Sequence, residues 1–231
     1  MTNQRTITTM FDDIAPRYDF LNRLLSFHLD THWRHRMSKT IKSHRPSAIL
    51  DVATGTADLA IQMAKDNPKA NIIGIDLSQA MLDIGLSKVE KLHLGQQITL
   101  QKADAQHLPF PDHSFDVVTV SFGVRNFEDV NEGLQEMLRV CKKDGLVAIL
   151  EFSQPKKGLV KIPYRWYSRH LLPRIGKAVS KHPSAYTYLP ESIQAFYPPE
   201  AFAEVMKKTG FSQVKEKSFC GGITTLYLGK A

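Results

Sequence analysis

Two cysteines, Cys141 and Cys220, are all that the chain contains. That is too few for a disulfide framework and offers no Cys/His spacing for a metal, so a reducing cytosol and no bound metal are expected. Long apolar runs are also missing: none approaches the ~20 residues of a membrane span. The first residues, "MTNQRTITTMFDDIA", hold no apolar core of signal-peptide length, and a cytoplasmic location is expected. No segment recurs with a period of roughly 20–50 residues, which excludes a repeat architecture. Acid is absent from one stretch. Between Glu151 and Glu191 there is no Asp or Glu, while Lys156, Lys157, Lys161, Arg165, Arg169, Arg174, Lys177 and Lys181 fall there. The net charge of +7 is therefore carried by that stretch, and the remainder is close to neutral. The same stretch interleaves Tyr164, Trp166, Tyr167 and Leu171 with its cations. Such a pattern suits an anionic membrane surface or a nucleic acid, or a solvated face over an ordinary core.

What is present is an alternation. With 231 residues, 42% of them hydrophobic, the chain suits one globular domain of larger than usual size, or one domain with an insertion. Residues 11–44 place apolar side chains at spacings of three and four, with a break near Ser26–Asp30, and read as helical. From Pro46 onward, "SAILDVA", "ANIIGIDLS", "QITLQKADA", "FDVVTVSF" and "LVAILEFS" read as strands. Helical patterns separate them, among them "NEGLQEMLRVCKK" before a turn at Asp144-Gly145. Ser78 is placed to cap the helix after the second strand. Five such strands argue a parallel sheet with helices on both faces. "PPEAFAEVMKKTG" then reads as a helix, and two further strands meet at Gly221-Gly222 in an expected hairpin. The expected fold is α/β and Rossmann-like, a seven-stranded, mostly parallel sheet with a C-terminal antiparallel hairpin. That layout resembles S-adenosylmethionine-dependent methyltransferases more than nicotinamide-binding folds.

The turn after the first strand, "LDVATGTADLA", can bring backbone amides and a helix N-terminus to a polar ligand. A dinucleotide fingerprint would need three glycines, but here Ala53 and Ala57 flank Gly55, which counts against a pyrophosphate on the backbone. Asp76 ends the second strand, where a carboxylate can accept from both ribose hydroxyls or merely cap a helix. Asp104 ends the third, where a carboxylate can accept from an adenine amino group beside the Ala105 amide. Asp51, Asp76 and Asp104 on one sheet edge suggest a cationic adenosine ligand.

"FDDIAPRYDFLNRLLSF", "LDVATGTADLA", "GIDLSQAML", "ADAQHLPFPDHSFDVVTVSFGVRN", "LEFSQP" and "YTYLPESIQAF" together resemble the C-methyltransferases of menaquinone and ubiquinone biosynthesis, within the class I methyltransferases. The resemblance implies methyl transfer from S-adenosylmethionine, with S-adenosylhomocysteine as product, to a ring carbon of a polyprenylated quinol. "APRYDFLNRLLSF" is closer to the menaquinone branch, so demethylmenaquinol is the expected substrate and the ubiquinone-pathway quinol the alternative. Carried over by position, Thr56, Asp76, Asp104, Ala105 and Ser121 contact the cofactor, with Gly55 in the turn. The family's usual glycine is Ala57 here, which bears on affinity more than on fold. The implied organisation is one methyltransferase domain. It comprises an N-terminal helical lid (1–45), a cofactor-binding core (46–153), a basic, aromatic substrate- or membrane-facing insertion (154–196) and a final helix with the hairpin (197–231).

Methylating an aromatic carbon needs an electron-rich ring, and a phenolate is far better than a phenol that titrates near 10. "SFDVVTVSFGVRNFED" carries Arg125 and Asn126 to the end of the fourth strand. Arg125 is expected to favour the quinol anion, with Asn126 orienting the same oxygen or the arginine; the plainer reading pairs Arg125 with Glu128 or Asp129. Tyr18, on the lid, is a third catalytic candidate, while His28 and His113 fit ordinary surface or core positions better than a base. A lipophilic quinol and an anionic membrane surface at the inner face of the cell membrane are the expected partners. Nucleic acid is not expected, and a homodimer stays open. RNA methylation and cofactor binding without catalysis are the rival functions.

Overall fold

A computed structural model describes residues 4–155, 162 and 184–231. Two helices come first, α1 (Gln4–Leu25) and α2 (Leu29–Lys42). The helical region therefore starts seven residues before Phe11. Ser26–His28 break it as expected, with Phe27 and His28 both at positive φ. Pro16 lies inside α1 and leaves the Asp12 carbonyl without its helical donor.

The alternating region follows as β1 (Ala48–Val52), α3 (Asp58–Asp66), β2 (Asn71–Asp76), α4 (Gln79–Lys91), β3 (Ile98–Lys102) and β4 (Phe115–Ser121). After β4 comes a 3₁₀ turn, Val124–Asn126, then α5 (Val130–Val140) and β5 (Cys141–Phe152). Ser78 caps α4 as anticipated, its hydroxyl accepting from the Met81 amide at 3.2 Å. The end of α5 differs from expectation. The helix stops at Val140 rather than running through Lys143, because Cys141 already pairs with Phe115. The next pair is Val117 with Leu146, so the intervening residues loop out, with Asp144 left-handed at φ 59°. The basic segment falls at residues 156–161 and 163–183 and lies outside the described residues. Helices α6 (Ser184–Ala195) and α7 (Pro199–Thr209) and the hairpin strands β6 (Ser212–Phe219) and β7 (Thr224–Lys230) complete the chain.

The seven strands run in the order β3-β2-β1-β4-β5-β7-β6, with β7 alone running opposite to the other six. Side chains alternate between two cores. Ile49, Val117, Ala148 and Leu150 meet α2 and α3 on one face, while Leu50, Val118, Val147 and Ile149 meet α5 and α7 on the other. Both faces are covered, which is why these strands read as nearly unbroken apolar runs. The strand order reverses between β1 and β4. A crevice opens at the carboxyl ends of the strands at such a switch point, and the loop after β1 and the turn after β4 both empty there.

Candidate active site

An open cleft occupies the switch point. Gly55, Asp76, Asp104, Ala105 and Ser121 line it from the sheet, Asn126 from the 3₁₀ turn, and Tyr18 from α1. Gly55 is left-handed at φ 56°, and its amide donates to Asp76 Oδ2 at 2.8 Å. The Ser78 amide donates to the other oxygen at 2.9 Å. Burial pushes the Asp76 carboxyl up from its ordinary value, against these two amides. Asp104 takes the Gln106 amide at 3.0 Å, and Ala105 is buried beside it. The Ser121 hydroxyl is buried and, among the described residues, has no hydrogen-bond partner.

Much of the remaining wall is apolar, with Phe11 on α1 and Met81, Phe122 and Phe127 on the core. These residues escaped the sequence reading because helical and strand periodicity had assigned their type to an ordinary core. Among the described residues, no Lys, Arg or His lines the cleft. Carboxylates and an unanswered hydroxyl fit an adenosine-bearing cation and disfavour a phosphate.

Two anticipated cofactor residues sit behind this wall instead. Asp51 is closed off, its carboxylate accepting from Thr54 at 2.7 Å and Thr119 at 2.6 Å. Burial pushes its carboxyl up to about 6, against those two hydroxyls. The Thr56 hydroxyl donates to Asp19 on α1 at 2.6 Å and accepts from Lys88 at 3.2 Å. Thr56 thus ties the turn to α1. Around it, Lys88 also holds Asp19 at 2.9 Å, Arg23 holds Asp58 at 2.6 Å, and Asp12 takes the Ser78 hydroxyl at 2.5 Å. Burial opposes ionisation of Asp58, but Arg34 and Lys88 outweigh it and hold the carboxyl at about 2.

Arg125 does not line the cleft. Its guanidinium bonds Glu151 at 2.9 Å, the Phe122 carbonyl, and the Ser192 hydroxyl at 3.3 Å, and lies over the Phe152 ring. Its carboxylate partner is Glu151 on β5, not Glu128 or Asp129. Asn126 accepts from the Tyr188 hydroxyl at 2.8 Å through Oδ1, which turns its Nδ2 donor to other partners. Glu151 and Tyr188 were missed, although both lie in the quoted stretches "LEFSQP" and "YTYLPESIQAF". Neither histidine candidate reaches the cleft; His113 is exposed, with its ring against the Cys141 carbonyl.

This sheet order and cleft define a class I S-adenosylmethionine-dependent methyltransferase. A crystal structure of a SAM-dependent methyltransferase from Aquifex aeolicus has the same fold, with a TM-score of 0.60 at 19% identity over 84% of this chain and 88% of that one. The match to the ubiE/COQ5 methyltransferase family runs over residues 1–231, and the chain belongs to that family. It is 45% identical over 225 residues to the ubiquinone/menaquinone biosynthesis C-methyltransferase UbiE of Geotalea uraniireducens, covering 97% of this chain and 95% of the relative. It is 43% identical over 221 residues to a demethylmenaquinone methyltransferase of Bacteroides fragilis, covering 96% and 90%. The methyl donor is S-adenosylmethionine, and the reaction is a C-methylation in quinone biosynthesis.

Proposed function

We propose that the acceptor is a polyprenylated quinol, with demethylmenaquinol first and the ubiquinone-pathway quinol as the alternative. The observation that carries this is the extent of the likeness to a protein named for demethylmenaquinone. The alternative rests on the double pathway in the name of the Geotalea relative. An aromatic-walled cleft roofed by α1 supports a flat, apolar acceptor. When bound, the donor supplies an electrophilic methyl group. In this reading Asp76, Asp104, Ala105 and Ser121 hold its nucleoside, Gly55 lets the backbone approach, and residues 1–45 act as a lid over residues 46–153.

Tyr18 and Asn126 face the acceptor. Burial raises the Tyr18 phenol above its ordinary value, with Arg34 the strongest opposing influence and Arg125 a further one. Tyr18 therefore stays protonated near neutral pH and donates a hydrogen bond rather than taking a proton. Arg125 also opposes the burial that raises Tyr188. Its field thus already acts on two phenols beside the cleft, which supports the same action on a quinol oxygen. The ring proton displaced by methylation leaves to water. The decisive assay gives labelled S-adenosylmethionine with a short-chain demethylmenaquinol, the ubiquinone-pathway quinol, or RNA. Label in the first product is expected; label only in RNA overturns the reading.

A lipid substrate brings in the membrane surface. Among the described residues no helix is long and apolar enough to cross a bilayer. Yet α1 exposes Phe20 by 60% and Leu24 by 40% away from the cleft, and Phe27 in the next turn is 69% exposed. Helix α2 and its end expose Arg36, Lys39, Lys42 and Arg45, with no acid between Asp30 and Asp51. We place this face on anionic headgroups, together with the basic stretch 154–196. Anionic liposomes should sediment the protein at low salt and release it at high salt. Failure to bind at low salt removes this part of the proposal.

A further inference from the structure

Helix α6 presents Tyr188 and Ser192 on one face, since residues four apart in a helix lie one above the other. Both reach the 3₁₀ turn after β4, and each takes one of two consecutive residues there. Ser192 Oγ accepts from Arg125 Nε at 3.3 Å, and the Tyr188 phenol donates to Asn126 Oδ1 at 2.8 Å. Ser192 is held in turn, its hydroxyl donating to the Leu189 carbonyl at 3.0 Å. Tyr188 does not line the cleft, whereas Asn126 does. A carboxamide is a donor at one end and an acceptor at the other, and the two ends have nearly the same shape. The bond from Tyr188 is the one hydrogen bond of the Asn126 side chain among the described residues. With Oδ1 taken up by α6, Nδ2 is the end left for the cleft.

We infer that Tyr188 is a positioning residue for the methyl transfer: by holding Asn126 Oδ1 it fixes the amide so that an N–H, and not the carbonyl, meets the ring oxygen of the acceptor. The inference rests on the reading that Asn126 faces a quinol. The direction of the amide decides which form of that quinol is favoured. An N–H donor stabilises a phenolate oxygen, whereas a carbonyl repels it and prefers the phenol, which can donate. The anion is far the better carbon nucleophile, so the orientation of one amide bears on the rate. A phenol suits the task of setting it. Burial raises the Tyr188 hydroxyl above its ordinary value, with Arg125 opposing and Glu151 adding to the rise. Tyr188 therefore stays a donor to Oδ1 across the neutral range. The groups facing this place are Arg125 on the same turn, Glu151 on β5, Tyr18 on α1, and Asp76 and Asp104 at the ends of β2 and β3. Tyr188 had read as one more aromatic in a basic stretch, because only the packing of α6 on the turn brings its hydroxyl to the amide.

The test measures kcat and KM for a short-chain demethylmenaquinol, and affinity for S-adenosylhomocysteine, in Tyr188→Phe, Asn126→Ala and the two combined. Tyr188→Phe keeps the ring and removes only the hydroxyl. Its kcat should fall about tenfold near neutral pH, with little change in S-adenosylhomocysteine affinity. That deficit should shrink as pH rises toward about 9.5, where the quinol begins to ionise without help. The rising limb of the kcat profile therefore moves to higher pH. Asn126→Ala should cost more, about 10²-fold, and adding Tyr188→Phe to it should cost nothing further, since the phenol acts only through the amide. A deficit in Tyr188→Phe that is equal at every pH, or that adds in full to that of Asn126→Ala, overturns the inference and leaves Tyr188 a brace. Asn126→Asp keeps the test decisive if Tyr188→Phe folds poorly. Its carboxylate still accepts from Tyr188 but has no donor to offer, so turnover should fall at least as far as in Asn126→Ala; retained turnover overturns the inference. Normal turnover in Asn126→Ala would overturn the reading of Asn126 itself, a result distinct from a normal Tyr188→Phe beside a slow Asn126→Ala. If the unmodified protein does not methylate the quinol, the acceptor reading falls and this inference with it.

Discussion

Arg125 Nη1 stands 2.9 Å from Glu151 Oε1, and the two side chains are 6% and 0% exposed. The pair joins the turn after β4 to the end of the neighbouring strand β5. Burial pushes the Glu151 carboxyl up, and Arg125 is the chief opposing influence. A cation so held cannot swing away, which suits a fixed electrostatic function.

Arg125→Lys keeps the charge but loses the fork that spans Glu151, the Phe122 carbonyl and Ser192. Turnover should fall by roughly 10²–10³ while the affinity for S-adenosylhomocysteine changes little. If the pair only braces the fold, the variant will melt earlier yet turn over normally per folded molecule. Steady-state kinetics beside a thermal melt separates the two.

Asp51 predicts a pH dependence of stability. Its carboxyl is pushed up to about 6 by burial, against Thr119 and Thr54. Between about 4 and 6 the folded protein keeps a proton that the unfolded chain releases. Its contribution to stability therefore falls as pH rises through that window and is level above it. Asp51→Asn removes the titration, and Thr54 can rotate to accept from the new amide. The variant should gain on the order of 2 kcal/mol over the unmodified protein at pH 8 relative to pH 4. Urea titrations at the two pH values check this; an equal difference at both would show that Asp51 does not titrate as described.

Much of this architecture could be read from the residues because it is locally encoded. The strands are apolar on both faces, Ser78 caps α4 through its own hydroxyl, and Gly221-Gly222 turn a hairpin. The cleft residues at strand ends were legible for the same reason, since the end of a parallel strand fixes where the next side chain goes. Arg125 shows where this stops. Nearby Glu128 and Asp129 looked like its partners, but the register of β4 on β5, with Ser121 opposite Leu150, sets Glu151 beside it. Such a register is a property of two packed strands and has no local signal. Arg34, Lys88 and Asp19 likewise become a network only when α1 and α2 close on the core.

Ala57 occupies a left-handed position at φ 63° and is fully buried. Its methyl does not line the cleft but points toward α4. A Cβ added to Gly85 would lie 3.2 Å from it and 2.8 Å from Leu100. Gly85→Ala should therefore cost about 1–3 kcal/mol by overpacking. Adding Ala57→Gly should recover part of that, with a coupling of at least about 0.5 kcal/mol. Strict additivity in denaturant titrations would show that the two positions do not share this space.

The last prediction concerns how α1 is held over the cleft. Polar links fasten it, among them Asp12 to Ser78, Asp19 to Thr56, Asp19 to Lys88, and Arg23 to Asp58. Lys88 is central, because it also grips Asp58 at 2.5 Å and so ties the turn, α1 and α4 together. Its side chain is 25% exposed, so the links are only partly shielded from solvent and salt. Lys88→Met keeps the aliphatic stem and removes the charge, leaving Asp19 and Asp58 facing each other without it. Opening of α1 should then become easier while the sheet stays intact. Amide exchange should speed up several-fold across α1 and remain unchanged in β4. Saturating S-adenosylhomocysteine should restore much of the protection, since closure over the ligand replaces the lost link with new contacts. Unaltered exchange in α1, or equal acceleration in β4, would mean that Lys88 stabilises the whole fold rather than the position of this helix.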